Sequence, residues 1–461
     1  MPRLVVAGLS GGSGKTLVSL GLLLSAVRRG MKVGAFKKGP DYIDTAWLTW
    51  ASGHPAHNLD TFLMGLDGAV AAFAAYSLPG ALNIIEGNRG LYDGFDAQGT
   101  HSTAGLAKAL AAPVVLVVDA TKVTRTAAAM VLGCQQLDPA VKIAGVVLNR
   151  VGGLRHERVL REAIEIACGI PVLGALPRIA ACPLPERHLG LVVPEDYPDR
   201  DALRATLEDL AEGRWEFERI WKLACAAPEL APPAELPPAL PDGGGLRIGY
   251  LRDPAFTFYY PENLDLLCAS GAEAVPISAL SATSLPEDLD ALYAGGGFPE
   301  MHAEALAANS TFLESLRRAA ERGLPVYAEC GGLMLLSRAI HWQGRRYAMA
   351  GALPFEVRVD VRPQGHGYTE LVVDAENAFY PRGTILRGHE FHYSAILAEA
   401  AQLPTACEVQ RGVGCGGGRD GVVAGNLWAS YTHLHALATP EWAAGMLNAA
   451  RRFARREWTA A

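Results

Sequence analysis

Short, nearly continuous apolar runs alternate along the first half of the chain with stretches of helical periodicity. Leu4-Val5-Val6-Ala7 is the first run, and it enters the glycine-rich stretch 8–16, GLSGGSGKT, before Leu17-Val18-Ser19-Leu20-Gly21-Leu22-Leu23-Leu24. That is strand, turn, helix. Similar runs at 32–36, 81–85, 113–119, 143–150 and 171–177 continue the series, and runs without polar alternation suit parallel strands buried on both faces. The first half therefore predicts an open, doubly wound, mostly parallel α/β sheet with helices on both sides.

The pattern breaks between 226 and 245, where Pro, Ala and Gly dominate and periodicity is lost. This reads as a linker between a domain at 1–225 and a second at 246–461, which restarts with a strand at 247–251. A chain of 461 residues is too long for one core, and a sequence half hydrophobic and 19% charged supports burial rather than disorder. A formal charge of −7 argues against sequence-independent nucleic-acid binding. No apolar run reaches about 18 residues, so neither signal peptide nor membrane span is expected, and the expected compartment is cytoplasmic. Eight cysteines without a C-x-x-C pair suggest reduced thiols.

The 8–16 turn carries the first chemistry. Backbone N–H groups of such a turn converge on a phosphate at a helix's positive end, Lys15 reaches the terminal phosphates, and the Thr16 hydroxyl can ligate Mg2+. The usual G-x-x-x-x-G-K-[ST] spacing puts glycine at position 9, where this chain has Leu9 with Gly8 one residue earlier. A variant P-loop is expected, with Gly11, Gly12, Ser13, Gly14, Lys15 and Thr16 on ATP. Lys37, Asp41 and Asp44 follow the second strand, and Glu86 and Asp93 follow the strand at 81–85, the strand ends where doubly wound sheets hold ligands. Lys37 and the two aspartates suit phosphate and Mg2+. Four acids exceed what one Mg2+ needs, so some are left to orient substrate. Asn149, just past another strand, is either a contact to the nucleotide base or a turn residue.

These stretches and 185–191 together resemble the synthetase domain of the cobyrinic acid a,c-diamide synthase family, itself similar to dethiobiotin synthetase. The resemblance implies ATP-dependent activation of a carboxylate, with Lys15, Thr16, Asp41, Tyr42, Asp44, Glu86 and Asp93 at motif positions. Asp41 and Asp93 are assigned to catalysis, Thr16, Asp44 and Glu86 to Mg2+, and Tyr42 to substrate.

In the second half, the strand at 325–328 runs through Glu329-Cys330-Gly331-Gly332 into a helix. Cysteine on such an elbow is placed as a nucleophile, because glycines permit the tight backbone and the helix N-terminus favours a thiolate. His433 is the expected base, with His435 its rival. The Gly295-Gly296-Gly297 turn offers N–H groups to an oxyanion, Gly297 and Gly331 forming the hole. These elements resemble the class I glutamine amidotransferase domain in its cobyrinic acid synthase variant, in which cysteine and histidine act without an acidic third member. Position 435 is indeed His where the usual H-x-E pattern has Glu. The implied reaction is attack of Cys330 on the glutamine side-chain amide, release of ammonia, and hydrolysis of a glutamyl thioester. The stretch 387–394 also matches the family; its His389 and His392 are read as hydrogen-bonding groups rather than metal ligands.

Two α/β domains of these kinds imply ATP- and glutamine-dependent amidation of the a and c acetates of a corrinoid precursor, cobyrinate or hydrogenobyrinate, through an acyl phosphate. The partners implied are L-glutamine and a tetrapyrrole polycarboxylate, with a homodimer left open and neither nucleic acid nor membrane. At 88–89 the family pattern more often has an apolar pair. Arg89 is therefore assigned to substrate, and sirohydrochlorin-type rings, nickel sirohydrochlorin or siroheme, stay open as alternatives. Two rivals remain: a regulatory P-loop ATPase fused to an inactive amidotransferase-like module, and a cobyric-acid-type synthase. Against the first, Ser10 stands where signature-lysine ATPases carry Lys, and both Cys330 and His433 are present.

Overall fold

The computed structural model describes residues 1–179, 184, 186–187, 190–230, 240–397 and 403–456. The chain divides into two compact units, Met1–Leu236 and Pro237–Ala461. Residues 231–239 of the 226–245 linker lie outside the described residues, as do Pro185, His188 and Leu189 of the 185–191 stretch.

In the first unit, seven strands form one sheet: β1 (Arg3–Gly8), β2 (Val33–Lys38), β3 (His57–Leu59), β4 (Leu82–Gly90), β5 (Val114–Asp119), β6 (Ile143–Val151) and β7 (Val172–Pro177). Their order is β3-β2-β4-β1-β5-β6-β7, and every pairing is parallel. All six residues of β1 are buried, as a strand covered on both faces requires. Because β4 and β5 flank β1, the ends of three strands surround the P-loop, and helix α1 (Lys15–Arg28) leaves from it. Helix α2 (Tyr42–Ser52) begins just past β2, with Asp41 as its N-cap accepting the Asp44 N–H at 2.7 Å. Helices α3 (Gly65–Tyr76) and α4 (Thr103–Ala109) follow β3 and β4. β4 extends five residues beyond the apolar run at 81–85, because its register shifts at a bulge and resumes with Gly8 opposite Gly90. That extension carries buried Glu86 to the rim of the P-loop.

The second unit is built on a ten-stranded sheet. Its parallel part runs, in spatial order, Glu273–Ile277, Arg247–Leu251, Ala291–Ala294, Val326–Glu329 and Leu427–Ser430. An antiparallel ribbon continues it through Arg419–Ala424, Thr405–Arg411, Gly365–Val373, Ile385–His392 and His433–Leu434. Tyr293, Tyr327, Trp428 and Trp442 are fully buried and make edge or stacked ring contacts beneath it. The register sets Glu329 opposite Ser430, and the Cys330 N–H donates to the Ser430 carbonyl at 2.8 Å. Cys330 is thereby fixed a few residues from the start of the histidine strand.

Candidate active sites

The P-loop is held from within and from beside. Lys15 Nζ donates to the Ser10 carbonyl at 3.1 Å and Ser13 Oγ to the same carbonyl at 3.0 Å. Gly12 and Gly14 have left-handed backbones (φ 71° and 95°), and a Cβ on Gly14 would lie 2.1 Å from Asn149 Nδ2, so only glycine fits there. Asn149 is buried, donating from Nδ2 to the Ser13 carbonyl at 3.0 Å and accepting the Arg150 N–H at 2.9 Å. Its side chain buttresses the loop. Gly11 is exposed.

Beside the loop stands a buried cation between two acids. Lys37 Nζ lies 2.5 Å from Asp44 Oδ2 and 2.8 Å from Glu86 Oε1, and Thr16 Oγ1 donates to that same Glu86 oxygen at 2.8 Å. Burial alone would pull the Lys37 ammonium down, but Asp44 and then Glu86 outweigh it and hold the group well above its ordinary range. Lys15 is lowered, first by burial and then by the Lys37 charge, and Glu86 is raised by burial. Asp41 opens to solvent, yet the surrounding protein and the Asp44 charge push its carboxyl up to about 7. Asp93 is exposed and accepts the Gly90 N–H at 2.8 Å; Tyr42 is half-buried at the start of α2; Arg89 is exposed, with a left-handed φ of 48°.

Among the described residues, no group of three or more His, Cys, Asp or Glu is arranged to hold a metal ion alone. Magnesium does not need one, since it takes one or two carboxylates and completes its shell with phosphate and water. Glu86 Oε2 is buried without a hydrogen-bond partner among the described residues, so Glu86, Thr16 and Asp44 fit such an ion.

In the second unit, Cys330 sits at φ 46°, ψ −94° between the strand Val326–Glu329 and the helix Gly331–Leu336. A non-glycine residue seldom adopts that conformation, and it is the strained geometry of a nucleophile elbow. Of the glycines after it, Gly332 is sterically required and Gly331 is closely packed. A Cβ on Gly332 would lie 2.0 Å from the Ala294 carbonyl oxygen, and one on Gly331 3.1 Å from the Gly297 nitrogen. The elbow thus rests on the turn at 295–297. So does His433: a Cβ on Gly296 would lie 2.5 Å from His433 Cε1, and a Cβ on Gly331 would lie 3.4 Å from the Gly296 carbonyl carbon. Cys330, Gly297, Gly331 and His433 are brought together around one turn.

His435 is placed differently. Its Nε2 lies 3.5 Å from the buried Glu262 Oε2 and its ring packs on Tyr260 at 4.4 Å between centroids. His389 shares a hydrogen bond of 3.2 Å with the Tyr260 hydroxyl and stacks on His433 at 5.1 Å. His392 contacts the Ser394 carbonyl at 2.8 Å and Glu390 at 3.3 Å while stacking on Tyr431.

The resemblance implies a site lacking an acidic third member, yet a carboxylate stands beside the histidine. Glu329, fully buried and adjacent to Cys330 in sequence, has Oε2 3.4 Å from His433 Nδ1. The same oxygen accepts the Tyr293 hydroxyl at 2.8 Å, and Oε1 accepts the Leu434 N–H at 3.2 Å. Burial pushes the Cys330 thiol well above its ordinary range, with the Glu300 and Glu329 carboxylates adding to it, and the Gly331 N–H opposes this only in part. The expected pull of the helix N-terminus toward thiolate is therefore outweighed.

Two family models divide the chain along the same line as the geometry. Residues 4–192 match the CobQ/CobB/MinD/ParA nucleotide binding domain, and residues 247–441 match the CobB/CobQ-like glutamine amidotransferase domain. The cobyrinate a,c-diamide synthase of Magnetococcus marinus is 43% identical over 449 residues, covering 96% of both chains. The chain belongs to the cobyrinate a,c-diamide synthase family. Enzymes of the same name from Dehalococcoides mccartyi, 39% identical over 98% of this chain and 99% of theirs, and Methanosarcina acetivorans, 38% identical over 98% and 96%, are similar along their whole length. As a member of the family it is an enzyme, a glutamine amidotransferase ligase with a nucleotide-binding domain. Among the described residues, no helix is long and apolar enough to cross a membrane. Within this family member, sequence reading passed over Glu329, whose link to His433 exists only across paired strands, and it left Lys38 without a role.

Proposed function

We propose that the enzyme uses ATP and glutamine to amidate the a and c acetate carboxylates of cobyrinate or hydrogenobyrinate. The observation that carries this reading is likeness over 96% of both chains to an enzyme named for that product. In the second unit, Cys330 Sγ attacks the glutamine amide carbon as its proton passes to His433, and the Gly297 and Gly331 N–H groups receive the oxyanion. His433 returns the proton to the departing ammonia, leaving a glutamyl thioester that water hydrolyses. Glu329, 3.4 Å from Nδ1, offsets the positive charge the imidazole gains.

In the first unit, the P-loop and Lys15 grip the ATP phosphates, and a substrate carboxylate oxygen attacks the γ-phosphorus to give an acyl phosphate and ADP. Ammonia then displaces phosphate. Activation is required because a carboxylate is a poor electrophile and phosphate leaves readily. Mg2+ held by Thr16, Asp44 and Glu86 would supply charge neutralisation of the phosphates. Asp41 and Asp93 orient the incoming acid, and Tyr42 and Arg89 contact the substrate.

Incubation with cobyrinate, hydrogenobyrinate, sirohydrochlorin and nickel sirohydrochlorin in turn, each with ATP and glutamine, followed by mass spectrometry, tests the reading. Two amides on cobyrinate or hydrogenobyrinate are expected. Amides on a sirohydrochlorin ring with none on either corrinoid would overturn it.

A further inference from the structure

Successive side chains of a strand point to opposite faces, so β2 sends Lys37 to the nucleotide cluster and Lys38 to the other side. Lys38 is 4% exposed, and among the described residues it makes no hydrogen bond or ion pair. A buried ammonium is costly unless paired, and the Asp60 charge offsets the burial of Lys38 only in part, since the group stays below its ordinary range. Lys38 pairs in register with Leu59 at the end of β3, and a Cβ on the next residue, Gly39, would lie 3.0 Å from Asn88 Nδ2, so Arg89 stands close by on β4. Arg89, like Lys38, has no ion-pair partner among the described residues. Two cations thus share one rim of the sheet.

The neighbouring loops supply aromatic surface. Phe62 and Phe95 stack at 5.9 Å with 20° between their planes, and the His101 ring meets Phe62 edge-on at 5.6 Å and Phe95 at 6.1 Å. His101 Nδ1 lies 3.1 Å from Thr61 Oγ1, two residues past Leu59. Phe95 keeps 41% of its surface exposed. Asp60 accepts the Phe62 and Leu63 N–H groups, both through Oδ1, and Asp96 accepts those of Gln98 and Thr100. The electrostatic interactions of Lys38 with Asp60 and Arg89, and of His101 with Lys38, Asp60 and Asp96, mark these groups as one neighbourhood.

We propose that Lys38 and Arg89, with Phe62, Phe95 and His101, form the subsite that receives the tetrapyrrole. The macrocycle lies against the aromatic rings, and peripheral carboxylates other than the one being amidated pair with the two cations. This rests on the tetrapyrrole reading above and adds to it the residues that recognise the ring. Separate faces for Lys37 and Lys38 let one strand serve nucleotide and acid at once.

Absorbance titration of the full chain with cobyrinate and with its peripheral methyl ester tests the assignment, using wild type, Lys38→Gln, Arg89→Gln, Arg89→Lys and Phe95→Ala. Each glutamine variant is expected to weaken binding of the acid by roughly tenfold to a hundredfold and to change binding of the ester little. Arg89→Lys should recover much of the loss, and Phe95→Ala should weaken acid and ester alike. Nucleotide affinity, measured on the same samples, reports that the first unit is folded. If both glutamine variants keep that affinity and still distinguish acid from ester as wild type does, the subsite is refuted. Wild type that binds no tetrapyrrole would instead refute the functional reading itself, a separate result.

Discussion

Glu329→Gln removes one charge from beside His433, together with one of the two acceptor oxygens that Tyr293 and Leu434 use. Glu329 Oε2 stands 3.4 Å from His433 Nδ1, and unit charges at that separation attract by roughly 5 kcal/mol at an effective dielectric near 20. The proposed mechanism moves the Cys330 proton onto His433, and attraction to the imidazolium formed in that step acts on the transition state. A neutral amide keeps a dipolar share of it. A net loss of about 3–4 kcal/mol lowers kcat/KM for glutamine hydrolysis by roughly 10²–10³-fold. Glutamine at 329 can still accept the Tyr293 hydroxyl, which Glu329 accepts at 2.8 Å, but its amide nitrogen then faces the Leu434 N–H, a loss of about 1–3 kcal/mol that a stable fold should tolerate. Alanine would instead leave that hydroxyl and the Leu434 N–H buried without an acceptor, at about 1–3 kcal/mol of stability each. The assay is glutamate release from glutamine, with ammonium-driven amidation as the control for the other unit. A folded Glu329→Gln protein within about threefold of wild type, under 1 kcal/mol, would refute a role for this carboxylate.

Glu300 offers a test through pH, because burial raises its carboxyl from 4.5 to about 7 and its charge disfavours the Cys330 thiolate. Glu300→Gln should speed alkylation of Cys330 by iodoacetamide severalfold above pH 7 and leave it unchanged at pH 6, where wild-type Glu300 is already neutral. The raised carboxyl also means that folding takes up a proton between those two values. Stability should therefore fall by about 3 kcal/mol as pH rises from 4.5 to 7, a slope that the same substitution flattens in urea titrations. Gly332→Ala would set a Cβ 2.0 Å from the Ala294 carbonyl oxygen and should cost about 1–3 kcal/mol, read as a lower denaturation midpoint. Lys37→Met strands Asp44 and buried Glu86 and should cost about 3–5 kcal/mol unless Mg2+ is added, which should restore part of the loss.

The parallel sheet of the first unit and both turns that carry chemistry were legible because each is local. An apolar run, a glycine turn and a helix lie within twenty residues of one another, as at 4–24 and 325–336. The antiparallel ribbon was not, since strands such as Thr405–Arg411, with intermediate and exposed positions mixed, carry little apolar periodicity and are held by their neighbours. β3 has only three residues, too few for a pattern. Glu329 looked like the end of a strand beside a cysteine, and only the pairing that sets it opposite Ser430 brings it to His433. Lys38 is hidden for another reason: composition shows a second lysine, but that it is buried, with Asp60 only partly offsetting the cost, is a property of the packed sheet.

The joining of an ammonia source to an acid-activating site is tested most directly by product formation from two nitrogen donors in two variants. Supplied with ATP and the tetrapyrrole acid, Cys330→Ala should form no amide from glutamine and wild-type amounts from an ammonium salt, while Lys15→Ala should form none from either. A folded Cys330→Ala protein that ammonium cannot rescue, or a Lys15→Ala protein that still amidates, would contradict it.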